Sequence, residues 1–288
     1  MSTLTESAPG YRARHTLPLR VEAVRQLKRR RTMVMAGILG ALPLILIIAF
    51  AIGGTPGGEG AERNNRINLM DVATASGVNF AATCLFVSAG FLLVVPVALF
   101  HGDTVASEAN WSSLRYLLAA PVPRTRLLWS KLAVALGFSA AAMVLLPLIA
   151  LAAGSIAYGW GPLKLPTGGS LAAGETLSRL TIAVVFIFLS QLVTAGLAFW
   201  LSTKTDAPLG AVGGAVGLAI VGNVLDAVTA LGTWREVLPA HWQFAWIDAL
   251  QPQLEWSGMA KGASVSVAYA LVLFALAFRN FSRKDIVS

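Results

Sequence analysis

The residues best suited to chemistry lie between His101 and Arg126, and the chemistry they suit is recognition rather than bond making. Asp103 or Thr104 can cap a helix. Trp111, Leu114, Leu117 and Leu118 then recur at helical spacing, and Pro121 and Pro123 end the run. Glu108 precedes this apolar ridge, with Arg115 and Arg124 along and after it. Such a ridge either packs against the chain's own helices or lies in a groove on a partner. On a partner, Trp111 would be the aromatic anchor and Glu108 would meet a basic residue.

The residue sets that make or break bonds are not found. His15, His101 and His241 stand far apart, and Ser88, Ser139 and Ser190 have no evident base. Cys84 is the single cysteine, which excludes an intramolecular disulfide or a cysteine-rich metal site. Gly57-Gly58-Glu59-Gly60 lacks the lysine of a phosphate loop. The sequence therefore predicts no catalytic residues, no metal and no cofactor on this chain. An intramembrane enzyme is the least supported class.

The elements that position these residues follow from composition. Hydrophobic residues make up 56% of the 288, charged ones 12%. A soluble domain carries about 25% charged residues, so a charged shell cannot be built here. Crossing a bilayer takes about 20 apolar residues. Charge-free windows predict six spans, at about 33–52, 78–100, 132–158, 180–203, 207–231 and 262–279. Unpaired backbone is excluded from lipid, so these are helices and the expected class is all-α. Pro43, Pro96 and Pro147 fall inside windows and read as packing kinks. Gly210, Gly213, Gly214 and Gly217 allow close helix packing, within the chain or across a dimer.

Three segments flank the spans. Residues 18–31 form a basic amphipathic helix for the membrane interface, with Val21, Val24 and Leu27 on one face and Arg25, Lys28 and Arg29 among the remainder. Residues 103–120 form the short helix described above. Residues 232–261 form an aromatic segment rich in tryptophan, suited to the outer headgroup region.

The loop and its surroundings resemble the type-2 ABC exporter permeases. That family shows an acidic residue, a Gly-Thr-Leu-x-x-Leu-Leu-x-x-Pro-Val-x-Arg segment and a lysine opening the third span. The matching residues are Glu108, Leu114, Leu117, Leu118, Pro121, Val122, Arg124 and Lys131, with Ser112-Ser113 in place of Gly-Thr. The basic helix, six spans and outer aromatic segment extend the likeness over nearly the whole chain. The resemblance implies a coupling helix that uses Glu108, Trp111, Leu114, Arg115, Leu118 and Arg124 toward an ATPase. It implies two cytoplasmic ABC ATPase subunits carrying ATP and Mg, a second permease subunit that is identical or paralogous, membrane lipids around the pair, and no nucleic acid. The expected cargo is an amphipathic or lipid-like molecule or drug. The alternative is an ion- or proton-coupled carrier, for which Asp226 is the one ionisable candidate at membrane depth.

Sixteen of the 22 Lys and Arg residues fall in the termini and loops that six spans place on the same side of the membrane as the N-terminus. This bias predicts a multi-pass protein of the inner (plasma) membrane with both termini cytoplasmic. Gly10→Cys and Ile286→Cys, each in a Cys84→Ala background, should resist a membrane-impermeant thiol reagent in intact cells. Labelling of either from outside reverses the topology.

Overall fold

The computed structural model describes residues 19–54, 69–110, 123–165 and 168–283. Nine α-helices are defined among them: α1 Leu19–Leu27, α2 Arg30–Gly53, α3 Gly77–Ala89, α4 Val94–Asn110, α5 Arg124–Tyr158, α6 Ala173–Ser190, α7 Leu192–Lys204, α8 Pro208–Ala227 and α9 Ser257–Arg283. Five helical stretches are long and apolar enough to cross a membrane, or six if the bent α3–α4 pair is one span. This is the architecture of a helical multi-pass membrane protein. A short antiparallel ribbon pairs Leu163 with Leu171.

Several boundaries differ from the apolar windows, for physical reasons. The expected second span is two helices bent by 51° across Gly90–Leu93. Pro96 stands in the first turn of α4, where its missing N–H is tolerated; an unbroken helix would have needed that donor. Pro43 and Pro147 do lie within helices. α5 has 35 residues, about 50 Å at helical rise, well beyond the ~30 Å hydrocarbon core. Its start at Arg124 lies eight residues before the expected span and carries Arg126 and Lys131 on the same rod.

The expected helix start at Asp103 or Thr104 is corrected. α4 runs from Val94 through Asn110 without a break, so both residues are mid-helix. Every residue from His101 to Glu108 is buried. The ridge residues Trp111, Leu114, Leu117 and Leu118, with Arg115, lie outside the described residues.

α4 is the hub of the bundle, packed on α5, α7 and α8. A Cβ on Gly102 would sit 2.9 Å from Val212 Cγ2, so α8 crosses α4 at van der Waals contact there. Ser202 Oγ on α7 accepts hydrogen bonds from the N–H groups of Val105 and Ala106, each at 3.0 Å.

α3 lies equally close to α5. A Cβ on Gly77 would fall 2.5 Å from the backbone nitrogen of Ser155. The glycine run of α8 divides. Gly214 faces Leu201, whereas Gly213 and Gly217 have nothing within 4 Å.

The aromatic segment folds as three 3-10 turns, Thr229–Val237, Pro239–Trp242 and Ala245–Leu250. Trp246 is fully buried, while Trp234 and Trp256 are exposed. Arg179 of α6 staples the segment down by donating to the carbonyls of Ala249 (3.2 Å), Gln251 and Pro252 (3.4 Å).

The glycine geometry sets a test. Gly77→Ala pushes a methyl into the Ser155 backbone, which cannot swing aside, and should cost about 1–3 kcal/mol. Gly213→Ala adds a methyl to open space and should be neutral or stabilising by up to about 1 kcal/mol. Unfolding of both variants in mixed micelles checks the pair; equal effects would contradict the packing.

Candidate functional site

The distal end of α4 carries two carboxylates inside the protein. Asp103 is fully buried and the Glu108 side chain is 3% exposed. An unpaired carboxylate there would be costly, so cations must converge on it. They come from two other elements. Lys131, on α5 and 1% exposed, donates to Glu108 Oε1 at 2.5 Å. Arg25, on α1, donates to the same oxygen. Arg29 and Arg31, at the turn from α1 into α2, each pair with one oxygen of Asp103. Glu22 closes the set, 3.0 Å from Arg25 and 3.3 Å from Lys131.

Three carboxylates thus face four cations across α1, α2, α4 and α5. The excess positive charge is tolerated because Arg25 and Arg31 reach the surface, with side chains 40% and 31% exposed. Burial acts against the charged form of both Arg25 and Arg29. At Arg25 the attraction of Glu108 and then Glu22 outweighs it, and the pKa lies above the ordinary arginine value. At Arg29 burial prevails over Asp103 and the pKa lies below it.

The cluster fixes how α1 lies. Its charged side, Glu22 and Arg25, turns inward, and Gln26 is buried with them. Leu19, Val21, Val24 and Leu27 are exposed. Those four apolar side chains suit a helix seated in the membrane interface. Thr32 Oγ1 donates to the Gln26 carbonyl at 2.7 Å and fastens the turn into α2.

The structure redistributes the expected site residues. Glu108 was expected to meet a partner's basic residue; its carboxylate is instead buried and accepts at Oε1 from Lys131 and Arg25 of the same chain. Arg25 and Arg29 were assigned to the lipid surface but face the cluster, while Lys28 is exposed as expected. Arg124 is exposed at the start of α5 and donates to the Ser282 carbonyl at 3.4 Å. Asp226 closes α8 and accepts from His241 Nδ1 at 2.6 Å. The cluster roles of Glu22, Arg31, Asp103 and Lys131 were missed. A usable signal existed, since acids are scarce in this chain and the acids of the cluster, Glu22, Asp103 and Glu108, sit beside or between its basic, span-flanking stretches.

The arrangement ties α1, α4 and α5 together through side-chain ion pairs. Clusters of three or more His, Cys, Asp or Glu side chains able to hold a metal are absent among the described residues. Removing one partner of a buried pair strands the other, at about 3–5 kcal/mol. Glu108→Gln, which leaves Lys131 with Glu22 alone, should therefore destabilise by about that much. Arg25→Ala leaves Glu108 with Lys131 and removes a half-exposed cation, so the loss should be about 1 kcal/mol or less. Unfolding free energies in mixed micelles measure both, and similar small losses would mean that the cluster is not buried as described.

No curated protein matches the chain. A family described as "Protein of unknown function (DUF2705)" matches residues 63–287, which takes in α3 to α9 and the distal end of α4 but not α1 or α2, and the chain belongs to that family.

Proposed function

We propose that this chain is the membrane-spanning permease subunit of an ATP-driven exporter of the type-2 ABC class. In this reading it forms six spans with both termini cytoplasmic. It works with two separate ATPase subunits, which bind ATP and Mg, and with a second permease subunit. The cargo is an amphipathic or lipid-like molecule or drug.

The observation that carries the reading is the ion cluster joining α1, α4 and α5 at the two ends of the segment that resembles the family's coupling loop. Glu108 opens that segment and Lys131 closes it, and the two are bonded to each other at 2.5 Å. A push on the intervening residues, Trp111, Leu114, Arg115 and Leu118 among them, reaches both helices and, through Arg25, the interfacial helix. Glu108 then acts as a positioning residue that holds the loop's base, and the contact with an ATPase belongs to the ridge beyond it. The missing phosphate loop supports placing ATP on another polypeptide.

The carrier reading draws on buried ionisable residues. Asp226 bears on it through its 2.6 Å contact with His241.

One experiment separates the two. The tagged chain, purified from its native membrane, should bring down an ATPase subunit, and Trp111→Ala should weaken that capture about thirtyfold, as expected for loss of an aromatic anchor worth about 2 kcal/mol. The isolated chain should hydrolyse no ATP. Asp226→Asn should assemble normally. Capture of no ATPase, together with loss of proton- or ion-driven uptake in Asp226→Asn, would replace the exporter with a carrier.

A further inference from the structure

Three buried polar atoms have no hydrogen-bond partner among the described residues and line one internal gap: His101 Nε2, Ser139 Oγ and Gln191 Oε1. They come from α4, from α5 and from the junction between α6 and α7. Their residues are 0%, 1% and 6% exposed. The gap also touches Met143, and as it stands it admits no water-sized sphere.

The bonding roles of these atoms follow from their neighbours. His101 Nδ1 lies 2.9 Å from the Val97 carbonyl, which only an N–H can satisfy, so the neutral ring presents Nε2 as an acceptor. Gln191 turns its amide nitrogen toward the Ala89 carbonyl at 3.5 Å, which leaves Oε1 as an acceptor. The Ser139 hydroxyl can donate. Two acceptors and one hydroxyl are the complement of a water molecule, which donates twice and accepts once. Buried polar atoms without partners make a conformation unfavourable relative to one that supplies them.

A larger cavity lies next door. Gln191 also lines a second cavity, of about 280 Å³, between α7, α8 and the aromatic segment. The chain is broken at Gln191 itself, between α6 and α7, and Gln191 bonds back to Ala89, the last residue before the break at Gly90–Leu93.

We propose that His101, Ser139 and Gln191 form an internal hydration site that opens when α4 and α5 draw away from the Gln191 junction, and that a single water then enters past Gln191 and satisfies all three atoms. The site is a conformational device as well as a ligand site, because hydration favours the separated arrangement. It does not depend on the exporter reading.

X-ray radiolytic footprinting in ¹⁸O-labelled water tests it on the intact chain in nanodiscs. Hydroxyl radicals born from a bound water oxidise the nearest methionine. Met143 should be oxidised at least fivefold faster than Met259, although both are buried and Met259 lies away from the gap. Ser139→Ala with Gln191→Leu should bring Met143 to the Met259 rate and leave Met259 unchanged. Should the double variant fail to fold, Ser139→Ala alone serves: it should slow Met143 oxidation, because the site loses its one hydroxyl for the water. A Met143 rate no higher than that of Met259 in the parent chain would overturn the proposal. So would a Met143 rate that the substitutions leave unchanged.

Discussion

The structure depends on two carboxylates that cannot reach water. Asp103 and Glu108 point into the protein from a part of α4 in which every residue is buried. Charges so placed demand partners, and the partners available are on α5 and on the turn between α1 and α2. That demand fixes the roll of α1, turns its apolar side outward and sets the position at which α5 begins beside α4. Replacing the cluster with apolar residues could give an equally stable core. What such a core would lack is a reason for α1, α4 and α5 to move together.

The helix breaks have a similar logic. Pro96 forces α4 to start anew, and the resulting bend exposes the Ala89 carbonyl to Gln191, which stands at the break between α6 and α7. Two interruptions therefore meet inside the bundle. On the far side, Arg179 ties the aromatic segment to α6 through three carbonyls, and the contact between Asp226 and His241 ties it to α8. One end of the bundle is held by a buried ion cluster and the other by hydrogen bonds to loop backbone, with the polar gap between them.

The long helices were legible in the sequence because charge-free windows mark what lipid or a packed interior will accept. The start of α5 and both ends of α9 were not, since a helix that leaves the apolar layer is ended by caps and contacts rather than by hydropathy. Asp103 misled for a specific reason. Its local preference is for a helix cap, but Arg29 and Arg31 lie more than seventy residues away in sequence and outweigh that preference. Glu108 misled in the same way, because a partner on another chain and Lys131 of its own chain are equally plausible from spacing alone. The gap lined by His101, Ser139 and Gln191 was invisible, since it is assembled from α4, α5 and the junction between α6 and α7 with no sequence signature.

The central claim is that the buried carboxylates of α4 hold α1 in place. Hydrogen–deuterium exchange of the α1 amides, compared between the parent chain and the Asp103→Asn, Glu108→Gln double variant in detergent micelles, tests it most directly. The account predicts that exchange across Leu19–Leu27 rises by at least tenfold in the variant while α7 and α9 keep their protection. Unchanged exchange in α1, with the variant folded, would show that something other than this cluster holds the helix.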